Sequence, residues 1–252
     1  MALHAGALLA LVLKPHAWPW LLGTLLADHL LLTAIGLWPR STSLGVNWTR
    51  LPAAAIARGE VCITIDDGPD PEVTPRVLSI LAAHGGRATF FCIGERVVRF
   101  PDIARACVAQ GHALENHSQS HAYRFALLGP RRIEHELRLA QQSIAQVCGT
   151  TPRFFRAPAG LRSPLLDPVL HRIGLTLASW SRRGFDTVRG DAGAVLARLS
   201  RDLAAGDILL LHDGHAARTP SGQPVIIEVL PQLLRIIEQR GLRTVTLPEA
   251  AR

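Results

Sequence analysis

From Val61 onward, short apolar runs alternate with stretches in which apolar residues recur at helical spacing. The runs Val61–Ile65, Ala88–Ile93, Ala113–Asn116, Phe154–Ala157, Leu175–Trp180, Asp207–Leu211 and Arg243–Thr246 predict strands. Between them, Val73–His84, Pro101–Gln110, Arg131–Val147, Ser163–Arg172, Ala192–Ala204 and Ile226–Arg240 predict helices. Alternation of this kind implies an α/β fold with a parallel sheet, and the number of repeats suggests closure into a barrel. In such a fold the chemistry gathers on loops that leave the carboxyl ends of the strands.

The first fifty residues follow a different pattern. Ala5–Leu13 is apolar but too short to span a bilayer, whereas Ala17–Trp38, beyond Lys14-Pro15-His16, is long enough. Asp28 and His29 lie near its middle, where an aspartate costs about 2.5–3.5 kcal/mol on the insertion scale. Trp18 and Trp20 at one end, and Trp38 before Arg40 at the other, resemble the aromatic belts of a membrane segment. A tilted anchor, an interfacial or re-entrant hairpin and a helical cap packed on the domain all fit, and membrane association through residues 1–40 is the favoured reading. A cleaved signal is disfavoured by Pro15 behind the short stretch and by the lack of a small-x-small site. The expected division is therefore a hydrophobic segment over 1–50, ending in a linker from Pro39 to Pro52, and a catalytic domain over 51–252.

Composition narrows the partners. A chain of 252 residues with 48% hydrophobic content can bury one sizeable core. The net charge is +7, with arginine far outnumbering lysine, which suits an anionic membrane surface or an acidic glycan. No cluster of Lys and Arg interleaved with aromatics occurs, so no nucleic-acid partner is expected. Cys62, Cys92, Cys107 and Cys148 show no CxxC spacing and read as buried free thiols. These thiols, and the arginines beyond Trp38, lean the domain toward the cytoplasmic side of the membrane.

Unusual polar residues fall where the predicted strands end. Thr64-Ile65-Asp66-Asp67-Gly68-Pro69-Asp70 places two adjacent carboxylates at a turn. Neighbouring side chains on a strand point to opposite faces, so Asp66 and Asp67 share one aim only where the strand dissolves. The alternative is that one of them caps the helix starting near Pro71. His117 and His121 stand at i and i+4, and on a helical turn both imidazoles would face the same way. With Asp67 they form a two-histidine, one-carboxylate set suited to a divalent first-row metal with open coordination positions. Arg156 ends another strand, where it could orient a carboxylate. Asp186 could support a neighbour from the loop beyond Trp180, and His212 emerges from a fully apolar strand in position to act as an acid.

In order and character these segments resemble the polysaccharide deacetylase family, the NodB-homology domain of carbohydrate esterase family four, over about residues 60 to 247. The resemblance rests on Thr64–Pro69, His117–His121, Arg156–Gly160, the segment ending at Asp186, and Ile208–His212. It implies a distorted (β/α) barrel and metal-dependent hydrolysis of an N-acetyl, less often O-acetyl, group on a sugar. The metal expected is zinc, with cobalt, nickel or manganese as alternatives. Position by position, the resemblance makes Asp67, His117 and His121 metal ligands, Asp66 the general base and His212 the general acid. Arg156 would orient Asp66, and Asp186 would pair with His212. Pro158 and Ala159 fall in the substrate-binding stretch, where the Ala159 N–H would help stabilise an oxyanion, and Leu210 would line the acetyl pocket.

The chain departs from that family in its fourth motif, where Arg183 and Thr187 stand at positions that commonly hold an acid and a tryptophan. Ala159 replaces a frequent tyrosine. Sugar-stacking surface is lost while the acid–base and ligand residues are retained. The expected substrate is therefore an N-acetylated saccharide of a cell-envelope glycan or a lipid-linked carrier. A deformylase or cyclic amidase acting on a small molecule, and a glycan-binding module without activity, are the alternatives.

Overall fold

The computed structural model describes residues 2–252, so Met1 of the N-terminal segment lies outside the described residues. The seven expected runs and an unexpected arginine pair, Arg182–Arg183, become an eight-stranded sheet: β1 (Glu60–Asp66), β2 (Ala88–Cys92), β3 (Ala113–Asn116), β4 (Phe154–Phe155), β5 (Thr176–Leu177), β6 (Arg182–Arg183), β7 (Ile208–His212) and β8 (Arg243–Thr244). The order is β5-β4-β3-β2-β1-β7-β6, with β8 beside the start of β1, and every ladder is parallel. The expected helices are present within a few residues of their expected ends, and three short ones, Ala53–Ala57, Gly94–Arg99 and Leu247–Ala250, join them.

The sheet curls into a half-barrel. Its strand ladders do not run from β5 round to β6, and the gap is bridged from an unexpected place. Trp48 pairs in parallel with Ala178 and Arg50 pairs antiparallel with Asp207, so part of the expected Pro39–Pro52 linker belongs to the sheet. This explains why the run Leu175–Trp180, expected as one strand, is cut short at Leu177. Ser179 N donates to Trp48 O, and Ser181 N then crosses to Ile208 O before β6 begins.

Alternation along the central strands separates two cores. On β1 and β7, Val61, Ile63, Ile65, Leu209 and Leu211 pack outward against helix residues such as Val77, Leu81, Val229 and Leu233. Cys62, Ile208 and Leu210 point inward with Phe91, Phe154 and Trp180. A parallel strand covered on both sides needs no polar face, hence the unbroken apolar run Ile208–Leu211. The cysteines are free, three of them buried, and burial pushes the Cys62 thiol up to about 12.

Helices Ala2–Leu13 and Trp18–Gly36 form an antiparallel hairpin that brings His4 Nε2 within 3.2 Å of His29 Nε2. The stretch Pro15–Gly36 is long and apolar enough to cross a membrane. Gly36 is the buried residue of its helix, and there the hairpin meets the sheet domain. Arg162 N donates to Gly36 O at 3.1 Å, and a Cβ at position 36 would lie 2.2 Å from Arg162 O, so only glycine permits the approach. Trp20, Leu30 and Leu31 stay exposed, and the hairpin lays no broad face on the sheet domain.

Candidate active site

β1, β2, β3 and β7 are neighbours, and the register aligns their carboxyl ends: Asp66 lies opposite Phe91 on one side and His212 on the other, and Cys92 lies opposite Asn116. One end of the half-barrel thus gathers Asp66, Asp67, His117, Arg156 and His212.

Asp66 is the last residue of β1, and Asp67 follows with φ 75°. That left-handed turn breaks the alternation, so both carboxylates can serve one site. Neither caps the following helix, Thr74–Ala83, which has no side-chain cap; Asp70 closes the turn before it, its Oδ1 accepting from Glu72 N and Val73 N at 2.9 and 3.0 Å. Asp67 Oδ1 lies 3.2 Å from both His117 Nε2 and His121 Nε2, and one ligand atom from each of the three residues falls within 4.8 Å of the others. The expected helical turn under the histidines is absent. Residues 117–121 form a loop with Ser118 and His121 at φ 63° and 50°, pinned by Ser118 N to Asn116 Oδ1 and His121 N to Ser118 Oγ. Two left-handed residues bring the rings together, with centroids 4.8 Å apart, where the helix was expected to do so.

The donor set fits a divalent metal. His117 Nδ1 lies 2.8 Å from the carbonyl oxygen of Arg156, which only accepts, so this nitrogen carries the proton. In the neutral ring Nε2 is then a lone pair facing the Asp67 carboxylate at 3.2 Å, and a cation resolves that opposition of two acceptors. Burial lowers His121 to about 4, which keeps its ring neutral as a ligand must be. Burial would raise Asp67, but the hydrogen bond from His215 and the nearby His212 charge oppose it, and the carboxyl is held well below the usual range.

Asp66 is fixed from behind. Arg156 Nη1 donates 2.7 Å bonds to Asp66 Oδ1 and Thr64 Oγ1, while Nε and Nη2 donate to the carbonyls of Ala178 and Ser179 at 3.1 and 2.7 Å. The guanidinium lies 4.2 Å from the Phe91 ring centre and is 1% exposed. Asp66 Oδ2 remains turned toward the triad, 4.0 Å from His117 Nε2. Replacing Arg156 with leucine leaves a buried carboxylate and several acceptors without a partner, so unfolding free energy in urea should fall by about 3–5 kcal/mol. A change within about 1 kcal/mol would show that Asp66 is solvated or paired elsewhere.

Across the site, Asp186 holds His212 at two points: Oδ2 accepts from His212 N at 2.7 Å and Oδ1 pairs with His212 Nδ1 at 2.9 Å. Burial pulls His212 down, but the Asp186 charge and hydrogen bond prevail and raise it to about 9. Leu210 sits one inward position below His212, beside Thr64, and is buried. Pro158 is buried and Ala159 exposed, in a tight turn after Arg156 with Ala159 at φ 54°.

Two site residues lie outside the sequence reading. His215 Nδ1 reaches Asp67 Oδ2 at 3.3 Å from the loop after β7, opposite the two histidines. Asp213, fully buried and bonded by Thr74 Oγ1, is raised by that burial to about 7 and packs against Gly68. The signal was the cluster His212-Asp213-Gly214-His215, in which one histidine of a pair drew attention.

The model of the family described as polysaccharide deacetylase matches residues 55–178. A chitooligosaccharide deacetylase of Azorhizobium caulinodans is 37% identical over 165 residues, covering 64% of this chain and 78% of that one. Its counterpart in Sinorhizobium fredii is 32% identical over 205 residues, with 79% and 95% covered. Among solved structures, a family 4 carbohydrate esterase from Streptomyces lividans in complex with acetate superposes with a TM-score of 0.67 at 31% identity, covering 74% of this chain and 91% of that one.

Proposed function

This chain belongs to the polysaccharide deacetylase family and is a metal-dependent deacetylase acting on an amino-sugar substrate; from that premise we propose how its residues divide the reaction, which metal serves it and where it works. The observation that carries the reading is the triad Asp67, His117 and His121 set between two supported groups, Asp66 on Arg156 and His212 on Asp186.

Asp67, His117 and His121 hold the metal, with zinc the expected ion. When bound, it polarises the acyl carbonyl and makes water nucleophilic near neutral pH. Asp66 takes a proton from the attacking water on Oδ2, the oxygen that Arg156 does not occupy. The backbone N–H of Ala159 donates to the oxyanion as it forms, and Pro158 fixes that turn. His212, cationic at neutral pH, gives its Nε2 proton to the sugar nitrogen as the C–N bond breaks, leaving a free amine and acetate. Leu210 bounds the acyl pocket and favours acetyl over longer groups. The helical hairpin attaches the enzyme to a membrane, in keeping with the exposed leucines of Trp18–Gly36 and the tryptophans at its ends.

Metal analysis with acetate release on a panel of N-acetylated oligosaccharides and glycolipids tests this reading. One metal per chain and released acetate are expected. Chelation should abolish release and zinc restore it, and the melting temperature should rise with zinc in step with a stabilisation of about 4 kcal/mol at a thousandfold excess over Kd. Metal binding without acetate from any substrate would overturn the deacetylase reading, and a chain that takes up no metal would overturn the mechanism.

A further inference from the structure

A cavity of about 460 Å³ opens where the hairpin helix enters the domain, lined by Trp38 and Arg40 from the end of that segment and by Arg183, Phe185, Arg198 and Arg201 from the domain. Among the described residues no carboxylate lines it. Among the described residues, too, none of Arg40, Arg183, Arg198 and Arg201 has an ion-pair partner, whereas Arg182, which also lines the cavity, is engaged by Asp207. Arg183 Nε is buried without a hydrogen-bond partner. Arg183 and Arg198 lie on one aromatic ring, 4.8 and 4.7 Å from the centre of Phe185. Guanidinium groups gathered in a concave site without acids repel one another and present forks suited to phosphate oxygens.

The position of the cavity says which phosphate. On one side it touches Trp38, two residues beyond the apolar helix, and on the other it ends at Phe185, the neighbour of Asp186, which holds the acid His212. Resting on the amino-sugar deacetylase reading above, we propose that this cavity binds the phosphoryl group of a substrate in which the acetylated sugar is joined through phosphate to a lipid. The sugar then lies at the metal triad, the phosphate among the arginines and the lipid along the exposed hairpin. Arg183, whose buried Nε has no partner, is the residue that sets the preference for an anionic carrier.

The test is calorimetric titration of farnesyl phosphate into the zinc-loaded protein, hairpin included, in non-ionic detergent, with farnesol and phosphatidylglycerol as comparisons. Farnesyl phosphate should bind and farnesol should not, and Arg183→Gln with Arg198→Gln should weaken binding by about tenfold for each arginine removed. The zinc content of the double variant reports folding; should it fall, the exposed pair Arg40→Gln and Arg201→Gln takes its place. Binding that is indifferent to the phosphate, or unchanged in the folded variant, overturns the proposal. Phosphatidylglycerol that competes as well as farnesyl phosphate overturns it in favour of a general headgroup site. Because binding is read without turnover, absent acetate release with intact arginine-dependent binding counts against the deacetylase reading alone, and the reverse pattern counts against the phosphate site alone.

Discussion

Asparagine in place of Asp66 is expected to leave one metal per chain and to lower kcat for acetate release by roughly 10²–10⁴-fold, the range of a lost general base. The substitution is close to isosteric, and the amide oxygen that replaces Asp66 Oδ1 can still accept from Arg156 Nη1. Arg156 also keeps its bonds to Thr64 Oγ1 and to the carbonyls of Ala178 and Ser179, so its buried charge is not stranded and the variant should fold. What is lost is the basic Oδ2 beside the triad. Asp67→Asn should behave in the opposite way and lose the metal, because Asp67 Oδ1 is the atom that both histidines face. Metal analysis beside steady-state rates separates the two variants. If Asp66→Asn loses metal, the roles of the two carboxylates are reversed; if it keeps both metal and turnover, the base lies elsewhere.

Much of this arrangement was legible in the sequence because it depends on strand ends. An apolar run that stops at Asp66, Asn116, Phe155 or His212 marks the edge of a buried parallel sheet, and polar residues just beyond it are either turns or chemistry. The pairing of histidines with Asp67 was legible as residue type and spacing, but its mechanism was not. A positive φ at Asp67, Ser118 and His121 is set by the packing of neighbouring loops, and no periodicity reports it. His215 was hidden for a related reason: it reaches Asp67 only because the sheet places β7 beside β1, a contact across 148 positions of chain. The pairing of Trp48 with Ala178 was hidden too, since a two-sided gap in a curled sheet can be filled by any extended segment nearby. The apolar hairpin was legible as an element and silent as to its surroundings. The five arginines of the cavity, separated in sequence by as much as the distance from Arg40 to Arg201, look like ordinary surface charge until the fold assembles them.

Replacing Asp186 with asparagine is expected to move the alkaline limb of the kcat/KM profile from near pH 9 toward or below the ordinary histidine range, with metal content unchanged. His212 stands at about 9 because the Asp186 charge and hydrogen bond outweigh a burial that by itself favours the neutral ring. In Asp186→Asn the amide oxygen can keep the bond to His212 N, but the side chain supplies no negative charge. Burial then governs, tempered by the more distant Asp66 and Asp67 charges, and the ring is largely neutral at about pH 7.5. A neutral imidazole cannot protonate a departing amine, so kcat should fall by roughly 10²-fold or more near neutrality and recover in part as the pH is lowered. Stability should follow the same group. A folded pKa raised above the unfolded value stabilises the fold fully below about pH 6.5 and is lost as pH rises through about 9, a contribution on the order of 3 kcal/mol for this buried ring. Wild type should therefore lose melting temperature between about pH 6.5 and 9, and Asp186→Asn should show a flatter profile across that window. An alkaline limb that stays near 9 in the variant would remove His212 from the role of acid, because no other change in the site accounts for a limb independent of Asp186.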